Sequence, residues 1–165
     1  MKPIFTEIQR FRKWWHYLIV GAPLLFMAVI GLVTSVSVTP AEAPQPLLTL
    51  ILSFLFMALV FVWFMFLKLE TVIGEQGIDV TFHGIPFCKR HIAWSEIKSI
   101  SVITYSPLSD YGGLGVRYGM AGNGWCYNVS GTKGIKIFYK DDKPFLIGTQ
   151  QSEEAGKIIE HYFNA

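Results

Sequence analysis

Charge is almost missing from the early part of this chain. Between Tyr17 and Leu67 the ionisable side chains are Tyr17 itself and Glu42, with no Lys, Arg, Asp or His. Over the whole chain of 165 residues the apolar fraction is 52%, against roughly 45–50% for a soluble domain. An uneven distribution of that kind excludes a disordered chain and one evenly mixed core. Cysteine is also scarce. Cys88 and Cys126 lie far apart with no CxxC, and the four histidines are scattered, which excludes a disulfide framework or a zinc knuckle. Free thiols are expected.

A global charge excess is lacking as well. The formal net charge is +2. Residues 1–16 hold Lys2, Arg10, Arg12 and Lys13 against Glu7, while residues 68–165 carry ten basic and ten acidic side chains. That balance gives no general attraction for nucleic acid. No cofactor or metal is implied.

What is present divides in two. Residues 17–38 and 47–67 are uncharged stretches, each about 30 Å long as a helix, the thickness of a hydrocarbon core. Between them lies Thr39 to Pro46, with three prolines and one acid, a segment suited to turning the chain back. Arg10, Arg12 and Lys13 precede the first stretch and Lys68, Lys89 and Arg90 follow the second. These features predict a transmembrane helical hairpin in a bacterial cytoplasmic membrane, with both termini and the soluble domain cytoplasmic. The bilayer is then the first expected partner. Ala41-Glu42-Ala43 also resembles a cleavage site, with the cut after Ala43. The segment 1–16 reads as a basic, aromatic cytoplasmic N-terminus.

Residues 68–165 read mostly as strands. Ile78, Val80 and Phe82 alternate with Asp79 and Thr81, after the turn signal Glu75-Gln76-Gly77. Further strands are expected near 90–93, 98–105, 116–118, 125–129, 134–139 and 143–147. At the end Ser152 suits an N-cap, Glu153 and Glu154 fill a first turn, and Ala155, Ile158, Ile159 and Phe163 recur on one face. The expected fold is a β-rich domain of about seven strands, a bent antiparallel sheet or partly open barrel, with a C-terminal α-helix. Without βαβ spacing a doubly wound fold is not expected.

Four segments carry a resemblance. They are Ile92-x-Trp94-Ser95-Glu96-Ile97, Tyr111-Gly112-Gly113-x-Gly115-x-Arg117-Tyr118-Gly119, Tyr127-Asn128-Val129-Ser130-Gly131-x-Lys133-Gly134, and Phe145 to Gln150. Together with the apolar hairpin they resemble bacterial membrane-anchored proteins with a pleckstrin-homology-like domain, an uncharacterised integral membrane family. The resemblance implies a seven-stranded bent sheet capped by a helix. It does not imply phosphoinositide binding through the first hairpin loop, because that loop is short and holds Glu75.

Catalytic motifs fail on spacing. Gly113-Leu114-Gly115 lacks the third glycine of a dinucleotide fingerprint, since position 118 is Tyr118. Gly131-Thr132-Lys133-Gly134 lacks the remainder of a P-loop. Ser95 and Glu96 near His91 read as a structural turn rather than a triad. The chain is therefore expected to be no enzyme but a membrane-tethered binding or scaffolding module, engaging a protein partner or the inner membrane surface. The alternatives are a subunit of an oligomeric membrane assembly and, more remotely, a lipid-modifying or hydrolytic enzyme. The candidate contacts are Lys89 and Arg90, the basic pair of the module, and Arg117 in its glycine-rich strand.

Overall fold

In the computed structural model the described residues are 4–12, 14–37, 44–119 and 122–163. The side chains at 15, 16, 19, 20, 34–37, 44–47, 49 and 50 are outside that description. So are the Ala43 cleavage site and most of the turn before it. The chain divides into two units: residues 1–10 with 67–165, and residues 11–66.

The larger unit is a two-layer β structure. Its first sheet has the order β1-β2-β3-β4, formed by Phe5–Arg10, Lys68–Gly74, Gly77–His83 and Lys89–Ala93, all antiparallel. Register explains which side chains face inward. Phe5, Ile73, Ile78 and Ile92 form one rank across the sheet, and Gln9, Leu69 and Phe82 another. The rank between them is Glu7, Thr71, Val80 and Arg90. All of these residues are buried except Arg90, which is half-buried.

The second sheet has five strands. They are β5 (Ile97–Thr104), β6 (Gly115–Tyr118), β7 (Trp125–Asn128), β8 (Lys133–Tyr139) and β9 (Pro144–Gly148). Their order is β5-β8-β9-β7-β6. Strands β7 and β9 run parallel, and the other pairs are antiparallel. One face carries Tyr127, Phe145, Ile135, Ile137 and Ile147 toward the first sheet, and the Phe82 and Tyr127 rings meet edge-on at 6.4 Å. The opposite face carries Cys126 and Leu146, covered by Tyr105 and by Tyr111 of the short helix α3 (Pro107–Tyr111). Helix α3 is built as its sequence dictates: the Ser106 hydroxyl accepts from the Ser109 N–H, Pro107 opens the first turn, and Gly112 ends it with φ 69°.

The terminal helix α4 (Ser152–Phe163) buries Ala155 and Ile159. At its end Tyr162 stacks on Trp94, whose indole N–H donates to the Gly74 carbonyl at 3.0 Å. Strand β1 is fastened to the segment before this helix. The Glu7 carboxylate accepts from the Thr149 hydroxyl at 2.6 Å and from the Gln150 N–H at 2.7 Å, and the Gln9 amide donates to the Gly148 carbonyl.

The second unit consists of α1 (Trp14–Ser37) and α2 (Pro44–Phe66), packed against each other, with the Phe11 and Phe64 rings 4.9 Å apart. The expectation of a transmembrane hairpin is overturned. Among the described residues no helix is long and apolar enough to cross a membrane. The integral-membrane placement and the bilayer as partner fall with it. The expected fold class is corrected too: the described β structure has nine strands in two sheets, with one parallel pair, rather than one bent antiparallel sheet of seven.

Candidate functional site: the Arg90 cleft

Arg90 faces inward for a reason legible in its register. It lies two residues before Ile92, whose side chain is buried, and opposite Val80, also buried. Side chains two apart share a sheet face. The guanidinium therefore lies over aromatic rings, 5.1 Å from the centre of Phe145 and 6.0 Å from that of Tyr127. These are cation–π distances. Burial works against its charge, but the hydroxyls of Tyr127 and Tyr139 outweigh this and raise its pKa further above the ordinary arginine value. Arg90 is a permanent cation. Burial raises the Tyr139 hydroxyl above the ordinary phenol range, with Arg90 pulling the other way.

Around this cation opens a cleft of about 570 Å³, bordered by Trp125, Tyr139, Lys140, Pro144 and Phe145, with Glu96 and Asp141 at its rim. Both acids have partners other than Arg90. Asp141 binds Lys143, itself part of the cleft lining, at 2.6 Å, and Glu96 accepts from the Ala93 N–H across the short turn Trp94–Glu96. Among the described residues Arg90 forms no ion pair with a carboxylate. A half-buried cation on an aromatic floor, with one side open, is suited to an anionic group carried by an aromatic or apolar body.

The other two candidates lie elsewhere. Lys89 pairs with Thr81 and is exposed on the face opposite Arg90. Arg117 sits on edge strand β6 opposite Cys126, so its side chain lies on the sheet face away from Phe145. It is exposed, and its Nε donates to the Leu114 carbonyl at 3.0 Å. The basic pair is thus split by strand alternation, and Arg117 does not join the cleft. Trp125, Tyr139 and Phe145 were not singled out by sequence. The signal available was their spacing of two residues from the inward-facing Tyr127, Ile137 and Ile147, which locates a face but not a cleft.

Ser95, Glu96 and His91 make no catalytic array. The His91 ring bonds Asp79 at 2.9 Å on the exposed face. Among the described residues no group of three His, Cys, Asp or Glu side chains is placed to hold a metal ion.

No protein-family model, curated protein or solved structure matches this chain. The resemblance to membrane-anchored pleckstrin-homology-like proteins is accordingly withdrawn, because neither a family match nor a spanning helix supports it.

Proposed function

We propose that this chain is a non-enzymatic binding module whose Arg90 cleft takes an acidic, aromatic segment of a protein partner. The observation that carries the reading is the half-buried Arg90 guanidinium, held over Phe145 and Tyr127, facing the cleft and, among the described residues, in no ion pair with the acids that line it. Trp125, 41% exposed, supplies an adjacent apolar wall. Aromatic and arginine side chains in a partly desolvated depression are the groups that dominate protein interfaces. A carboxylate meeting Arg90 there gains a charge-assisted hydrogen bond, about 1.5–3 kcal/mol. The non-enzymatic part of the reading rests on the cleft's lining, in which, among the described residues, Ser95 is bonded to no base and the Glu96 carboxylate accepts from the Ala93 N–H instead.

The test is fluorescence polarisation with labelled pentapeptides that place Glu beside Phe or Trp, each compared with its Gln counterpart. The acidic peptides should bind at least tenfold tighter than the Gln peptides. Arg90→Gln should remove that preference, and Arg117→Gln should leave it intact. Equal binding of acidic and amide peptides would refute the assignment, as would an Arg90→Gln protein that keeps the preference.

A further inference from the structure

A rank of side chains crosses the second sheet and runs out of the Arg90 cleft. Register pairs Phe145 with Ile137 on one side and Trp125 on the other, and Trp125 in turn with Tyr118. Partners directly across a ladder share a sheet face. The inner half of the rank is core, since Ile137 and Phe145 are buried. The outer half is open. Trp125 lines the cleft, and Tyr118, on edge strand β6, is 64% exposed. Their rings meet edge to face, with centroids 5.4 Å apart and planes at 79°. Arg117 is turned to the other face, opposite Cys126, so the outer half carries no charge. An aromatic ledge thus begins at the floor beneath Arg90 and ends at the sheet edge, with a cation at its inner end alone.

The length of this ledge selects the conformation of what lies along it. Neighbouring strands are about 4.8 Å apart, so Phe145 to Tyr118, two strands away, is about 10 Å. In an extended β-strand the side chains facing one way recur at about 7 Å and then at about 13 Å. Neither spacing fits. In a polyproline II helix they recur at every third residue, about 9 Å, which does fit. Proline also suits the outer end of the ledge, which is a shallow aromatic surface rather than a pocket. Its flat ring packs on an aromatic face, and a segment already extended loses little freedom on binding.

We infer that the partner segment crosses β9, β7 and β6 as one turn of polyproline II helix. Its acid meets Arg90, the aromatic neighbour of the acid lies against Trp125, and a proline three residues from the acid packs on Tyr118. This placement rests on the Arg90 cleft being the binding site, and it adds the conformation and the spacing of the segment.

Fluorescence polarisation with the full chain and labelled nonapeptides tests the inference. Each peptide holds Glu-Trp and one proline in an alanine and glycine background, the proline lying two, three or four residues from Glu in either direction. In one direction the spacing of three should bind at least fivefold tighter than two or four. Tyr118→Ala should erase that advantage while Glu peptides still bind more tightly than their Gln counterparts. Tyr118→Phe keeps the ring and should keep the advantage. A Glu preference without a spacing preference would overturn this inference and leave the Arg90 reading standing. So would a best spacing of two or four, the mark of a strand, or an advantage that survives Tyr118→Ala. Loss of the Glu preference on the unaltered chain would overturn both. Should Tyr118→Ala fail to fold, the spacing series on the unaltered chain decides the matter.

Discussion

Replacing Glu7 by alanine is expected to loosen the whole β unit, although residue 7 lies far in sequence from what it holds. Its carboxylate is 5% exposed and accepts from the Thr149 hydroxyl at 2.6 Å and the Gln150 N–H at 2.7 Å. Hydrogen bonds to a charged acceptor contribute about 1.5–3 kcal/mol each, and a donor left buried without a partner adds a desolvation cost. Two such bonds sum to about 3–6 kcal/mol, a large share of the roughly 5–15 kcal/mol by which a domain is stable. Glu7→Gln keeps one acceptor oxygen and should cost less, about 1–2 kcal/mol. The assay is equilibrium urea unfolding followed by the fluorescence of Trp94 and Trp125, with Trp14, Trp15 and Trp63 replaced by Phe. Adding Thr149→Val to Glu7→Ala removes the stranded hydroxyl, so the double variant should lose less than the sum of the single losses, by about 1 kcal/mol or more. If Glu7→Ala costs less than about 1 kcal/mol, or the two substitutions simply add, the N-terminal strand is not fastened in this way.

Further expectations follow from particular residues. Gly124 has φ 72°, and a Cβ there would lie 1.9 Å from the Pro144 carbonyl oxygen, so Gly124→Ala should cost about 3 kcal/mol or more in the same unfolding assay. Gly156→Ala should instead stabilise by up to about 1 kcal/mol, since the methyl fits. Burial raises the Tyr111 hydroxyl to about 12, with the neighbouring Cys126 and Asp110 adding to the effect. A raised folded pKa means stability is fully present below the ordinary tyrosine value of about 10 and is lost as pH rises toward 12. Urea midpoints should therefore fall over that interval, and fall less in Tyr111→Phe. The helix pair leaves Leu25, Phe26, Phe56 and Phe66 each at least 65% exposed, more apolar surface than a monomer leaves to water. Sedimentation of the full chain in detergent-free buffer should show species larger than a monomer, and a stable monomer would contradict this.

Much of the β unit was legible because its inward faces alternate in the ordinary sense. Ile78, Val80 and Phe82 point in while Asp79 and Thr81 are half-exposed at the other face. Strand β1 inverts that rule. Its inward residues are Phe5, Glu7 and Gln9, and the apolar Ile8 is 51% exposed, so hydropathy hides the strand. What makes it a strand is distant: the Thr149 and Gln150 donors and the pairing with β2. The parallel pairing of β7 with β9 was hidden for a related reason, since β8 comes between them in sequence and local pattern carries no long-range order. At the site, Arg90 was visible only as half of a basic pair with Lys89. Counting two residues back from Ile92 separates them, but the floor beneath Arg90 comes from strands that sequence alone did not bring together.

Arg90 as the anion-binding group of an aromatic cleft can be observed directly. Nuclear magnetic resonance of the full chain, titrated with a Glu- and Trp-containing pentapeptide, tests it most directly through the Arg90 Nε–H and the Trp indole N–H signals. Saturable shifts of Arg90 and Trp125 are expected, with the Trp94 indole, bonded to Gly74, left in place. Shifts centred on Arg117 or Lys89, or none at Arg90 while the peptide binds, would contradict it.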